Sequence, residues 1–303
     1  MTKSLIFPPK LNVNDKVLIV SPSGKIDKNL ITGLKERLIS WGLQPIIGKN
    51  ATAKSGSYAG TIKQRVRDLQ YGLNKPEIRA LFCSRGGYGA IQLIEHLNLS
   101  LFKEQPKWLI GYSDITALHC LLQKSGYASI HAPMARHFTV EPEKDEALSH
   151  LKQQLFDGAT HYSVKGHAFN KKGEAEGILI GGNFSVLQSL RATAIDINPN
   201  NAILYIEDVN ENPYAIERMF YNLQLSGALN QLAGLIIGHF TLTREDREIS
   251  QRVYEYIKHI LKPYKFPICF NFPVGHITNN FPLINGAAAK LSVTKSRVEL
   301  KFG

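Results

Sequence analysis

A hydroxyl becomes a useful nucleophile only where a base can take its proton and nearby donors can meet the oxyanion that its attack creates. The stretch Trp108-Leu109-Ile110-Gly111-Tyr112-Ser113-Asp114 can supply the donors. Three apolar residues run into Gly111, and Ile115, Leu118 and Leu122 then recur at helical spacing, which reads as a buried strand turning sharply into an amphipathic helix. Ser113 falls at the turn, beside the first N–H groups of that helix. The spacing is similar to the G-x-S-x-G turn, with Gly111 two residues before the serine, and departs from it at Ile115, where the second glycine is absent. Ser and Asp ahead of a helical run are also ordinary N-cap residues, so the stretch alone leaves both readings open.

A serine nucleophile needs a base, and the base needs a group to orient it. Of the ten histidines, His276 follows the apolar run Ile268 to Phe272 through Pro273-Val274-Gly275. His239 also follows a strand-like run and is a second candidate, whereas His119 lies on the helix after Ser113 and points away from the turn. Glu207 ends the buried run Ala202 to Ile206, where a carboxylate is costly to desolvate unless something positive or hydrogen-bonding meets it. Glu207 is therefore the best orienting group, with the adjacent Asp208 as the alternative that the sequence leaves open.

A second set of backbone donors lies in Ser84-Arg85-Gly86-Gly87-Tyr88-Gly89-Ala90, which follows the apolar run Ala80 to Cys83. It is not a dinucleotide fingerprint, because Gln92 stands where the third glycine belongs, and Gly48-Lys49-Asn50 lacks the Ser or Thr of a P-loop. Cys83, Cys120 and Cys269 are odd in number and widely spaced, so neither a disulfide framework nor a cysteine zinc site is expected.

The elements that must position these residues form a pattern. Apolar runs at Lys16–Val20, Gln44–Ile47, Ala80–Cys83 and Trp108–Gly111 alternate with helical periodicities, which predicts an α/β fold with a parallel sheet whose site lies beyond the carboxyl ends of its strands. A helix carrying Ile91, Ile94 and Leu97 is expected after the glycine loop. Residues 1–150 form one α/β domain, residues 151–176, rich in charge and interrupted by glycine, read as a crossing segment, and residues 177–303 form a second domain. The 303 residues carry a net charge of +11 with 44% hydrophobic content, enough for real cores and suited to an anionic partner. The basic residues are scattered, and no recognition module appears, so no nucleic-acid partner is expected. Leu5-Ile6-Phe7 before Pro8-Pro9 is too short for a signal-peptide apolar region, and no run approaches membrane-spanning length; a cytoplasmic protein without a membrane partner is expected.

Taken in order, Arg85-Gly86-Gly87-Tyr88-Gly89, Gly111-Tyr112-Ser113-Asp114, Gly181-Gly182-Asn183, Leu204-Tyr205-Ile206-Glu207-Asp208 and Pro273-Val274-Gly275-His276 give the chain a resemblance to the LD-carboxypeptidases, the S66 serine peptidases, which include the microcin-immunity peptidases. The resemblance implies a Ser113–Glu207–His276 triad, a flavodoxin-like N-terminal domain, a C-terminal mixed α/β domain supplying Glu and His, an active site between them and a homodimer. It implies hydrolysis, with no metal or organic cofactor, of the amide bond between an L-configured centre, such as that of meso-diaminopimelate, and the terminal D-alanine of a murein tetrapeptide, in peptidoglycan recycling. On that expectation the N–H groups of Asp114 and Gly87 form the oxyanion hole, and Arg85, Gly86 and Asn183 hold the substrate. Two alternatives stand beside it: a microcin-immunity-like peptidase cleaving acyl-aminoadenylates, and a non-catalytic binder of an anionic ligand.

Overall fold

In the computed structural model, which describes residues 5–142, 145–158, 161–242 and 247–303, the four apolar runs of the N-terminal half become strands Lys16–Val20 (β1), Gln44–Ile47 (β2), Ile78–Cys83 (β3) and Trp108–Gly111 (β4), and Ser129–His131 adds a fifth (β5). Neighbouring strands pair in parallel, and the sheet order is β2-β1-β3-β4-β5, with the strand Leu283–Asn285 beyond β5. This is the flavodoxin-like winding, in which the strand order reverses at β1 and the loops after β1 and β3 part to leave a crevice. Val17 to Val20 are at most 1% exposed, because helices cover both faces of the strand. β2 is an edge strand, which is why Pro45 is tolerated within it.

The helices follow from their apolar stripes. Lys28–Ser40 buries Ile31, Leu34 and Leu38 on one side. Ile62–Asn74 begins at a capping box formed by Thr61 and Gln64, and it buries Arg65, Asp68, Leu69 and Leu73. The expected helix after the glycine loop is instead a 3₁₀ helix, Ala90–His96. Its buried pair, Ala90 and Leu93, is three residues apart, which matches three residues per turn. A short 3₁₀ turn, Ser113–Ile115, likewise precedes the α-helix Thr116–Lys124.

The second sheet is mixed. Its strands are His161–Lys165 (β6), Gly173–Asn183 (β7), Ala202–Val209 (β8), Gly234–Leu242 (β9), Arg247–Glu248 (β10) and Ile268–Phe270 (β11); after Leu283–Asn285 (β12) come Ala288–Val293 (β13) and Arg297–Phe302 (β14). β7, β8, β9 and β11 run parallel, while β13, β14 and β6 extend the β7 edge in antiparallel fashion.

The chain divides into two compact units, Met1–Gly158 with Phe281–Ile284, and Ala159–Asn280 with Asn285–Gly303. The stretch 151–176, expected as a crossing segment, holds the end of the helix Glu146–Phe156, all of β6 and the start of β7. Leu148, Leu151 and Leu155 bury one face of that helix; its charged outer face hides the periodicity in the sequence. Among the described residues no helix is long and apolar enough to cross a membrane.

His119, expected to point away from the Ser113 turn, instead turns its ring back onto the end of β4 and joins three elements of the first unit. Its Nε2 meets the carbonyl of Gly111 and its Nδ1 the hydroxyl of Ser129, both at 2.8 Å. A carbonyl can only accept, so Nε2 carries the proton and the serine donates to Nδ1. Burial lowers its pKa from 6.5 to about 3, despite the opposing bond to Gly111. The unfolded chain therefore takes up a proton that the folded chain refuses, so stability from this group is complete above pH 6.5 and is lost as pH falls toward 3. Urea midpoints are expected to drop over this window by the equivalent of about 1.4 kcal/mol per pH unit, and His119→Gln should remove that slope. An unchanged slope in the variant would show that the imidazole is not held neutral.

Candidate active site

β4 ends at Gly111, Tyr112 is extended, and Ser113 then adopts φ 65°. A serine in the left-handed region is strained, and it persists only where its surroundings over-determine it. Asp114, 5% exposed, accepts a hydrogen bond at 2.8 Å from the Ala90 N–H, which ties the glycine loop to the turn. Ile115 is fully buried, and its N–H reaches the Tyr112 carbonyl. Neither the 3₁₀ turn nor the following helix is capped by a side chain, so Ser113 is not an N-cap residue. Ser113 is half-buried, and its hydroxyl sits on the turn with no capping bond to make.

The loop after β3 lies directly on this turn. A Cβ added to Gly86 would stand 2.7 Å from the Ser113 Cβ and 2.8 Å from its Oγ, so only glycine fits there. The Gly86 carbonyl accepts from the Gly24 N–H at 3.0 Å, and Gly87 packs against Gly24. Arg85 is exposed and donates from Nη1 to the Lys25 carbonyl at 2.6 Å. Cys83, just upstream, is a buried thiol whose pKa burial drives upward, so it offers no competing thiolate.

In the second unit, β8 is buried through Asp208 and carries Glu207 at 0% exposure. The segment after β11 is held against β9 by bonds from the Phe272 N–H to the Ile237 carbonyl and from the His239 N–H to the Val274 carbonyl, and the Gly275 N–H donates to Asn280 Oδ1. These fix His276 so that its Nδ1 lies 2.7 Å from Glu207 Oε2. An ionised carboxylate only accepts, so Nδ1 carries the proton and the lone pair of the ring is on Nε2. Of the two candidate histidines, His276 is the one whose ring meets Glu207; the backbone of His239 packs beside Gly275.

Successive strand residues face opposite ways, which separates Glu207 from Asp208. The Asp208 carboxyl accepts from Asn183 Nδ2 at 2.9 Å and from the N–H groups of Ser185 and Val209, both at 2.8 Å. Burial, and after it the charge of Glu207, push its pKa up to about 7. Asn183, expected to hold substrate, is 4% exposed and also caps the helix Phe184–Ser189 through the Val186 N–H. Its side chain is a strut between β7 and β8.

Ser113, Asp114, Arg85, Gly86 and Gly87 thus gather in the first unit, and Glu207, His276 and Asn183 in the second. The sequence reading did not find Arg65 or the separate role of Asp208; a lone arginine on a basic helix gives no sign that it is buried. Among the described residues no group of three or more His, Cys, Asp or Glu side chains is set to hold a metal.

Asn183→Ala should cost about 2–4 kcal/mol of stability, from the lost cap and the lost donor to a buried carboxyl, and a thermal melt measures it. An unchanged melt with a raised KM would return Asn183 to the substrate.

The chain matches the family model of the LD-carboxypeptidase N-terminal domain over residues 17–132 and that of the C-terminal domain over residues 176–291. A protein of Synechocystis sp. that is named as a carboxypeptidase is 34% identical over 96% of this chain and 96% of its own. The murein tetrapeptide carboxypeptidase of Pseudomonas aeruginosa is 29% identical over 94% of this chain and 95% of its own. In fold, the chain superposes on an MccF-like protein from Bacillus anthracis with a TM-score of 0.88, at 23% identity over 98% of this chain and all of the other. A muramoyltetrapeptide carboxypeptidase from Oxalobacter formigenes gives 0.83, at 22% identity over 95% of this chain and 98% of its own. With both family models matched in order and a relative 34% identical along nearly its whole length, this chain belongs to the LD-carboxypeptidase family.

Proposed function

We propose that the protein is a serine-type LD-carboxypeptidase that removes the terminal D-alanine from murein tetrapeptides by cleaving its amide bond to an L-configured centre. The observation that carries this reading is Ser113 at φ 65° with no capping bond, a strained placement that a purely structural serine has no reason to keep. The Glu207–His276 pair and the relatives named for murein peptides support it.

In the proposed reaction, His276 Nε2 takes the proton from Ser113 as Oγ attacks the scissile carbonyl, and Glu207 holds the ring tautomer and stabilises the imidazolium. The N–H groups of Asp114 and Gly87 receive the oxyanion, each lowering the barrier by about 3 kcal/mol. Collapse of the tetrahedral intermediate passes the proton from His276 to the departing amine, leaving the peptide as an ester on Ser113. Water, deprotonated by the same imidazole, then hydrolyses that ester and regenerates the hydroxyl. Arg85, with Gly86 beside it, receives the terminal carboxylate, since a guanidinium suits that group.

The three cysteines are free and buried, as thiols of a reducing compartment are, which supports a cytoplasmic setting in peptidoglycan recycling. The family resemblance supports a homodimer.

Purified protein incubated with murein tri-, tetra- and pentapeptides should release D-alanine from the tetrapeptide alone, followed by mass spectrometry, and Ser113→Ala should abolish release. Hydrolysis of an acyl-aminoadenylate in its place would contradict the substrate. Arg85→Ala should raise KM for the tetrapeptide about tenfold with kcat little changed, as the loss of a charge-assisted contact predicts, and an unchanged KM would remove Arg85 from the carboxylate.

A further inference from the structure

One buried cation stands behind the Ser113 turn without touching it. Arg65, on the helix Ile62–Asn74, is 3% exposed. Its Nη1 donates to the carbonyls of both Pro22 and Gly89, each at 2.9 Å, and its Nη2 to Gln92 Oε1 at 2.6 Å. The guanidinium lies 4.9 Å from the centre of the Tyr58 ring, and Tyr58 stacks in turn near Tyr88. Pro22 belongs to the loop after β1, and Gly89 to the loop after β3 that touches Ser113. One nitrogen with two hydrogens therefore sets the spacing of the two loops.

The other links between these loops converge on the same place. The Gly24 N–H reaches the Gly86 carbonyl, Arg85 reaches the Lys25 carbonyl, and the next residue after Gly89 gives its N–H to Asp114. The helix that carries Arg65 is itself fastened, since Asp68 accepts from both the N–H and the Nδ2 of Asn50 at 2.7 Å. The three oxygens to which Arg65 donates are neutral, and the charge of Asp114 on the turn also favours the cation; burying a cation in this way is a poor source of stability compared with apolar packing.

We infer that Arg65 is a positioning residue, which holds the Arg85–Ala90 loop against the Ser113 turn so that the loop's N–H groups are in place when the hydroxyl attacks. This rests on the proposed role of Ser113 and adds a residue that does not contact substrate. Without the clamp the loop relaxes, and a shift near 1 Å at the oxyanion donors slows acylation by about 100-fold while leaving ground-state binding largely intact.

The test uses a fluorophosphonate probe, which reports Ser113 reactivity independently of the peptide substrate, together with steady-state kinetics on the tetrapeptide. Arg65→Ala should label about 100-fold more slowly than wild type and lose kcat in proportion with KM changed by less than about threefold, and added guanidinium should recover part of the labelling rate. Arg65→Lys keeps the charge and the stem, and therefore the fold, yet one ammonium cannot reproduce the fork; it should label at least about tenfold more slowly with a near-native melt. Labelling of either folded variant within about twofold of wild type, or a change in KM alone, would overturn the inference. Wild type that fails to label would overturn the role of Ser113 and this inference with it. Wild type that labels but releases no D-alanine would overturn only the substrate, and the comparison of variants would still decide the role of Arg65.

Discussion

The left-handed backbone at Ser113 is the constraint on which the rest of the first unit depends. A non-glycine residue there costs on the order of 1–3 kcal/mol, which has to be offset by its surroundings. The offsets are visible on every side. The Gly111 carbonyl is held by His119 and by the Ala132 N–H, Asp114 is bonded to Ala90, and Ile115 is sunk in the core. Gly86 packs against the serine side chain, where a Cβ would stand 2.8 Å from Oγ. A parallel sheet suits such a turn, because the loops after β1, β3 and β4 leave the same edge and brace one another.

The second unit solves a different problem, that of two adjacent buried carboxyl groups. Like charges so placed repel, and the strand separates them by turning one to each face. Asp208 faces the Asn183–Ser185 turn, and burial, with the charge of Glu207 after it, raises its pKa, which favours its neutral form and limits the charge buried beside Glu207. Glu207 is left to face the imidazole of His276. The polar cage around Asp208 thus serves the Glu207–His276 pair indirectly, by fixing the end of β8 and by keeping the local charge low.

Much of this was legible in the residues. Continuous apolar runs marked the strands, and the order of glycine-rich turns marked their carboxyl ends. What escaped depended on three-dimensional context. Ile91, Ile94 and Leu97 fit a helical stripe, yet the buried pair is Ala90 and Leu93, because the Ala90 N–H is committed to Asp114 and the segment winds as 3₁₀. The helix Glu146–Phe156 and β6 were hidden by their charged outer faces. The return of Phe281–Ile284 to the first unit leaves no local signature. The choice between Glu207 and Asp208 was open in the sequence, since neighbouring acids differ only in which face of the strand they take. That Asn183 also caps the helix after β7 was not read from the sequence, although a residue after a glycine pair at a strand end often takes that place.

The account stands or falls on whether Ser113 is the group that attacks and His276 the group that takes its proton. The most direct measurement is to expose the protein to the fluorophosphonate probe, digest it and locate the adduct by peptide mass, in wild type and in His276→Ala. The account predicts a single adduct on Ser113 in wild type and its near-complete loss in the variant. An adduct on another residue, or a Ser113 adduct that forms equally fast without the imidazole, would contradict it.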